Sequence, residues 1–296
     1  MKRNLITAAA LVAASLIAGC GGTGSNPSTT AVSGRVADGY LDKASVFLDK
    51  NSNYQMDAGE PSTMTDANGV YTLMVDAADM GTCPIVAMAI KGQTIDKDTN
   101  QTVPDSFTLC MPAPAVSGTP GSNFISPMST LIREKMAANP GMSMSDAMTQ
   151  LRNQMNLPAG MNMMADYVAG SQAGMNADQY RFMHTTAQQM AGLMAGQSAL
   201  VMPGGSVNVD RYRGMMATIN ANMSGIAANV MDGQGMDSTF MTTMMSTMQS
   251  QLDSMPMTGS FMNYSGMFRN MTSNRYFWNT GSGTTTPMTP MSGGMM

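Results

Sequence analysis

Pro112-Ala113-Pro114-Ala115, followed by Ser117-Gly118-Thr119-Pro120-Gly121-Ser122, is the stretch on which the fold turns. Proline removes an amide donor and glycine costs backbone entropy, so neither a helix nor a central strand runs easily through it. Upstream the chain consists of short β-prone runs divided by turn residues. Downstream, apolar residues recur at helical spacing. The expected fold is therefore multidomain: a small all-β sandwich over residues 32–115 and a linker at 116–124. An all-α bundle of about five helices follows over 125–256, and then a flexible tail over 257–296.

Working upstream, the candidate strands are Val32–Val36, Ala44–Leu48, Val70–Val75, Pro84–Ile90 and Ser106–Met111, with Asp38-Gly39 and Asn68-Gly69 as turn signals. Between two of them lies Asp49-Lys50-Asn51-Ser52-Asn53-Tyr54-Gln55-Met56-Asp57-Ala58-Gly59-Glu60. Oxygen-bearing side chains fall at loop positions 1, 3, 5, 7, 9 and 12, the spacing of a helix-flanked calcium loop. Two features depart from that pattern: Tyr54 stands where glycine is usual, and the preceding residues read as a strand. An Asx-rich turn that needs no ion is the alternative.

The stretch from Ser33-Gly34-Arg35-Val36-Ala37-Asp38-Gly39-Tyr40, through this loop, to Thr65-Asp66-Ala67-Asn68-Gly69-Val70-Tyr71-Thr72 resembles a bacterial surface module. It is similar to the calcium-binding B-repeat and carboxypeptidase regulatory-like β-sandwiches. The resemblance implies a sandwich stiffened by Ca2+ in an inter-strand loop. By it, the ligands are Asp49, Asn51, Asn53, Asp57 and Glu60, with Gln55 contributing its backbone carbonyl. Three of these are carboxylates, so modest affinity suited to extracellular calcium is expected.

At the N-terminus, Lys2 and Arg3 precede an apolar run from Leu5 to Ile17. As a helix that run rises about 20 Å, too short for a bilayer core of about 30 Å. It ends in Leu16-Ile17-Ala18-Gly19-Cys20, which resembles the bacterial lipobox. That resemblance implies a signal peptide over 1–19, lipidated Cys20 as the first mature residue, and a flexible tether over 20–31. Gly21 and Gly22 follow, without the Asp that retains lipoproteins in the inner membrane, so a lipid-anchored place in the outer membrane is expected. Cys83 and Cys110 are then the remaining cysteines, and in an oxidising envelope they are expected to form a disulfide. A redox-active pair is the sharper alternative, but it lacks C-x-x-C spacing.

Downstream, Ser126-Pro127 reads as a cap and first helical turn leading into Met128–Ala138. Met144, Met148, Leu151 and Met155 form a stripe after Ser143, and Asn176 with Gln179 can open a helix carrying Met183, Met190, Leu193 and Met194. Further stripes are Met215, Met216, Ile219, Met223 and Ile226, then Met241, Met244, Met245 and Met248. The start of this half, Ile125-Ser-Pro-Met-Ser-Thr-Leu-Ile132, resembles helical regions that follow β modules in some bacterial surface proteins.

Leu, Ile, Val and Phe together number 44, about 15% of the chain, below the roughly 20% expected of a globular protein. The missing apolar mass is methionine: 39 residues, 32 of them beyond position 116. In the helical stripes Met shares positions with Leu and Ile and reads as core. In the tail it has little core to build. Met288-Thr-Pro-Met291 and Met-x-Met spacings resemble the methionine motifs of bacterial copper-handling proteins. Thioethers are soft ligands for Cu(I) and Ag(I), which makes Met255, Met257, Met288, Met291, Met295 and Met296 the candidate ligands. A methionine-based oxidant sink and a Met-substituted core in a surface scaffold are the competing readings. His184 can complete a mixed Met/His copper site or stand inert. Tyr276-Phe277-Trp278 forms an aromatic patch that can dock on the bundle, contact a partner or stack on sugar.

Charged residues make up 11% of the chain and the net charge is −4, so no basic field is available for nucleic acid. There is no Gly-rich phosphate loop, haem-attachment motif, zinc spacing or Ser nucleophile elbow. The expectation is a non-catalytic envelope lipoprotein, held to the membrane through its lipid, with any protein partner unidentified.

Overall fold

The computed structural model describes residues 28–256, so the signal-like segment, Cys20 and the tail from Met257 onward lie outside the described residues. In chain order the strands are β1 (Thr29–Val36), β2 (Leu41–Asp42), β3 (Ser45–Leu48), β4 (Ser62–Met64) and β5 (Val70–Asp76). They continue with β6 (Ile85–Ala89), β7 (Ile95–Asp96), β8 (Gln101–Thr102), β9 (Phe107–Met111) and β10 (Asn123–Ile125). The helices are α1 (Pro127–Ala138), α2 (Met144–Gln154), α3 (Tyr167–Gly170), α4 (Ala177–Gly196), α5 (Ser198–Val201), α6 (Val209–Ala221), α7 (Met223–Met231) and α8 (Thr239–Asp253). A sheet-rich part is thus followed by a helical part.

Side-chain periodicity explains the two larger sheets. β1 and β5 bury alternate residues, Val32 and Val36 on one and Tyr71, Leu73 and Val75 on the other, as strands with one covered face do. They pair antiparallel, and β10 adds to β1 in parallel, giving the order β10-β1-β5. That pairing depends on Gly34: a Cβ there would lie 1.7 Å from the Asn123 carbonyl oxygen. The second sheet, β4-β3-β6-β9, is antiparallel throughout. Every residue of β9 and all but Met88 of β6 are buried, which fits strands covered on both faces. β2, β7 and β8 form a small third sheet.

α1 packs on β9 and on α2, α4 and α6. Its start follows the sequence: Ser126 accepts the Ser129 amide at 3.3 Å, Ser129 Oγ accepts the Ser126 amide at 2.8 Å, and Pro127 takes the first helical position. Every residue from Pro127 to Lys135 is buried, charged ones included. The two parts share one continuous core running from Val32 to Leu252.

Eight α-helices are present among the described residues, not the five read from periodicity. The stripe Met215–Ile226 is broken at Asn222, whose Nδ2 donates to the Thr218 carbonyl at 2.8 Å, and α7 begins there. α3 and α5 are single turns, too short to show a period. Asn176 does precede α4, but it forms no side-chain cap. Its φ of −108° and ψ of 18° are not the extended conformation that aims an N-cap oxygen at the helix amides. No helix among the described residues is long and apolar enough to cross a membrane.

Candidate functional site

The loop between β3 and β4 brings Asp49, Asn51, Asn53, Asp57 and Glu60 together. Asp49 is fully buried and accepts the amides of Asn53 at 3.2 Å and Tyr54 at 3.0 Å. Burial raises the Asp49 carboxyl above its ordinary range, against the pull of the Asn53 and Ser52 amides. Glu60 accepts the Lys50 amide at 2.7 Å and the Asp57 amide at 3.0 Å. Asn51 and Asn53 each donate Nδ2 to the same Asp57 oxygen, at 2.7 and 2.8 Å. Gln55 instead sends its side-chain amide outward to the Val207 carbonyl at 3.3 Å. The loop therefore closes on its own donors, and a cation entering it has to displace the two asparagine amides from Asp57.

Tyr54, the residue where glycine is usual, is the loop's anchor. It holds a left-handed φ of 62°, and its ring is wholly buried in the helical part, 4.4 Å from the Tyr212 ring centroid. The Tyr54 hydroxyl donates to Glu134 at 2.9 Å and accepts from Arg133, whose guanidinium also lies over the ring. Arg133 and Glu134 form a buried ion pair at 2.5 Å. Burial raises the Glu134 carboxyl, while Arg133 and Arg213 oppose the shift.

Cys83 and Cys110 are free thiols, which corrects the expected disulfide. The β6–β9 register places Cys110 opposite Val86, so Cys83 lies three positions beyond it. At strand rise that offset is about 10 Å, outside the roughly 7 Å within which two Cα atoms can be bridged. Cys110 also faces the helices, 3.4 Å from the Tyr212 hydroxyl, and burial pushes its thiol up. Cys83 sits half-buried in the turn before β6, its amide on the Asp79 carbonyl.

Most of the helical methionines pack inward, Met231 at the end of α7 being exposed. Met183, Met190, Met194, Met215, Met216 and Met248 are all buried, beside Leu193 and Ile219 in the same core. Met255, one of the candidate copper ligands, is half-buried, and its thioether lies close over Gly214. The other five, Met257, Met288, Met291, Met295 and Met296, lie outside the described residues, as does the aromatic patch. Exposed thioethers do occur on the folded surface, at Met56, Met64, Met74, Met175 and Met231.

His184 pairs with a carboxylate. Its Nε2 lies 2.7 Å from Asp98 Oδ2, an oxygen that also accepts from Gln188 at 2.7 Å, and its ring lies 5.6 Å from that of Tyr167. The bond to His184 lowers the Asp98 carboxyl. Nearby Asp38 is buried with Oδ1 unpartnered, and burial together with Asp96 raises its carboxyl well above the ordinary range. Sequence reading missed this grouping; the alternation Asp96-Lys97-Asp98 was its one local signal, and Asp38 and His184 come from remote segments. No group of three or more His, Cys, Asp or Glu among the described residues is disposed to hold a metal ion. An open cleft of about 350 Å³ beside β1 has Arg35 and Asp166 as its charged walls, and they are bound to each other at 3.2 Å.

Comparison with family models, characterised proteins and solved structures finds no match to this chain.

Proposed function

We propose that this chain is a non-catalytic, lipid-anchored envelope protein that binds soft metal, Cu(I) or Ag(I), through methionine thioethers, for sequestration or carriage. Anchoring is through Cys20 in the outer membrane. The observation that carries the reading is methionine exposed on the folded surface. Met56, Met64, Met74, Met175 and Met231 stand exposed on the folded surface, and eight more follow Pro256. An exposed thioether gains nothing from burial, whereas its sulfur remains available as a soft ligand.

A scaffold role with a Met-substituted core is the second reading, favoured by the buried helical stripes. The two differ in what methionine-to-leucine replacement does. An anaerobic Cu(I) titration of the mature chain carrying Cys20→Ser, against a competing chelator, is the test. Tight, saturable binding that falls when Met255, Met257, Met288, Met291, Met295 and Met296 become leucine is the expected result. Binding absent from the parent chain sinks the metal reading and leaves the scaffold or an oxidant sink. In the same reading the Asp49–Glu60 loop takes Ca2+ as a stiffener, with modest affinity because the asparagine amides must first leave Asp57.

A further inference from the structure

Three methionines flank Ser45 on the β4-β3-β6-β9 sheet, in the half of the chain poorest in methionine. Ser45 of β3 is paired with Met64 of β4 on one side and Met88 of β6 on the other. Directly opposed residues project from the same face of a sheet, so Met64, Ser45 and Met88 form one row. The third sulfur comes from the loop: Ser45 Oγ lies 3.9 Å from Met56 Sδ. Met56 and Met64 are 54% and 48% exposed, while Met88 is half-buried and packs against the core. The row therefore has a wet outer side and an apolar floor.

From this juxtaposition we infer a second soft-metal site, in which Met56, Met64 and Met88 bind one Cu(I) or Ag(I) ion above Ser45. Neighbouring strands are about 4.8 Å apart, so Met64 and Met88 stand about 10 Å apart across β3. Serine between them is short and leaves that space open. An unbranched side chain with three rotatable bonds, leaning in from each side, closes the gap onto a single ion. Met56 already sits over the middle of the row. An all-thioether donor set favours a soft monovalent ion and offers nothing to Ca2+ or Mg2+, which take oxygen ligands. The packing of Met88 against the core fixes one ligand, while the exposed pair gives the ion an entry path from solvent.

This inference rests on the soft-metal reading but names residues outside the tail, so the two can fail separately. The test is an anaerobic Cu(I) titration of the mature Cys20→Ser chain, run on four proteins. These are the parent, the tail Met→Leu variant, Met56→Leu/Met64→Leu/Met88→Leu, and Met80→Leu/Met136→Leu/Met236→Leu, half-buried thioethers placed in neither site, as a control. Ag(I) titration followed by the methionine methyl NMR signals locates the ligands, and thermal unfolding checks each fold. The triple sheet variant is expected to lose one equivalent of bound metal, the tail variant to keep it, and the control triple to match the parent. The methyl signals of Met56, Met64 and Met88 should shift together. If the parent binds but the sheet triple binds just as much, this site is refuted and the soft-metal reading stands. Equal losses in the sheet and control triples refute it too, since binding is then generic. A parent that binds no metal removes both.

Discussion

At Tyr54 two effects oppose each other, and their sizes decide which prevails. A left-handed φ of 62° costs a residue with a Cβ about 1–2 kcal/mol, a cost that glycine escapes. Emptying the space of a buried aromatic ring costs about 3–5 kcal/mol. Tyr54→Gly, which restores the residue usual in calcium loops, should therefore destabilise the chain by about 1–4 kcal/mol on these figures. Tyr54→Phe keeps the ring but leaves Glu134 without the hydroxyl donor, at a cost of about 1–3 kcal/mol. Denaturant unfolding of the two variants checks both values; a Tyr54→Gly chain as stable as the parent would show that relief of backbone strain offsets the whole loss of the ring. The same residue marks the limit of reading a loop from its spacing. The alternation of Asp49, Asn51, Asn53 and Asp57 was legible because those contacts are local. The partner that buries Tyr54 comes from Glu134, 80 positions away, and nothing near the loop announces it.

At the scale of elements, α1 carries charge into the core and should give the protein a basic-side pH dependence. Burial lowers the Lys135 ammonium to about 8, where it donates to Asn220 at 2.8 Å and Gln154 at 3.2 Å. The folded state therefore releases this proton before the unfolded chain does. Across the interval from about 8 to the ordinary lysine value near 10.4, the unfolded state holds more protons, so stability should rise with pH. Lys135→Gln should flatten that rise; unfolding midpoints taken at intervals from neutral to alkaline pH test it, and a slope unchanged by the substitution overturns it. The start of α1 was legible in Ser126-Pro127, as were the five principal strands, because alternation and capping are written in neighbouring residues. β2, β7 and β8 were not: two residues apiece hold no periodicity, and only pairing with remote segments makes them strands. β10 was hidden in a Gly- and Pro-rich stretch because its place beside β1 depends on Gly34, 89 residues earlier. The division of α6 from α7 was invisible for the opposite reason. The Met and Ile stripe continues across Asn222 although the backbone does not.

For the whole molecule, the question is whether the sheet-rich and helical parts unfold as one unit. No disulfide joins them among the described residues, so packing, hydrogen bonds and ion pairs such as Arg35–Asp166 hold them together. Cys110 lies at that contact. Its amide donates to Thr130 Oγ1 at 2.8 Å, its carbonyl accepts from Ser129 Oγ at 2.7 Å, and its thiol faces Tyr212 of α6. Two features of the fold favour cooperative unfolding. The buried side chains form one continuous cluster, and α1 is covered from Pro127 to Lys135 by β9 on one side and by helices on the others. A core rich in flexible thioethers argues in the other direction, because adaptable side chains specify a single packing less sharply than leucine does. Thiol labelling decides between them. Cys83, half-buried in its turn, should react in the native protein, and the fully buried Cys110 should react only through opening. If the core is one unit, the opening free energy from Cys110 labelling under rapid reclosing equals the global unfolding free energy from denaturant, and a reductant leaves the unfolding midpoint unchanged. Cys110 labelling at a markedly lower free energy would mean that the helices lift off β9 while the sheets stay folded. The contact between the two parts would then be an interface that opens, and not the centre of a common core.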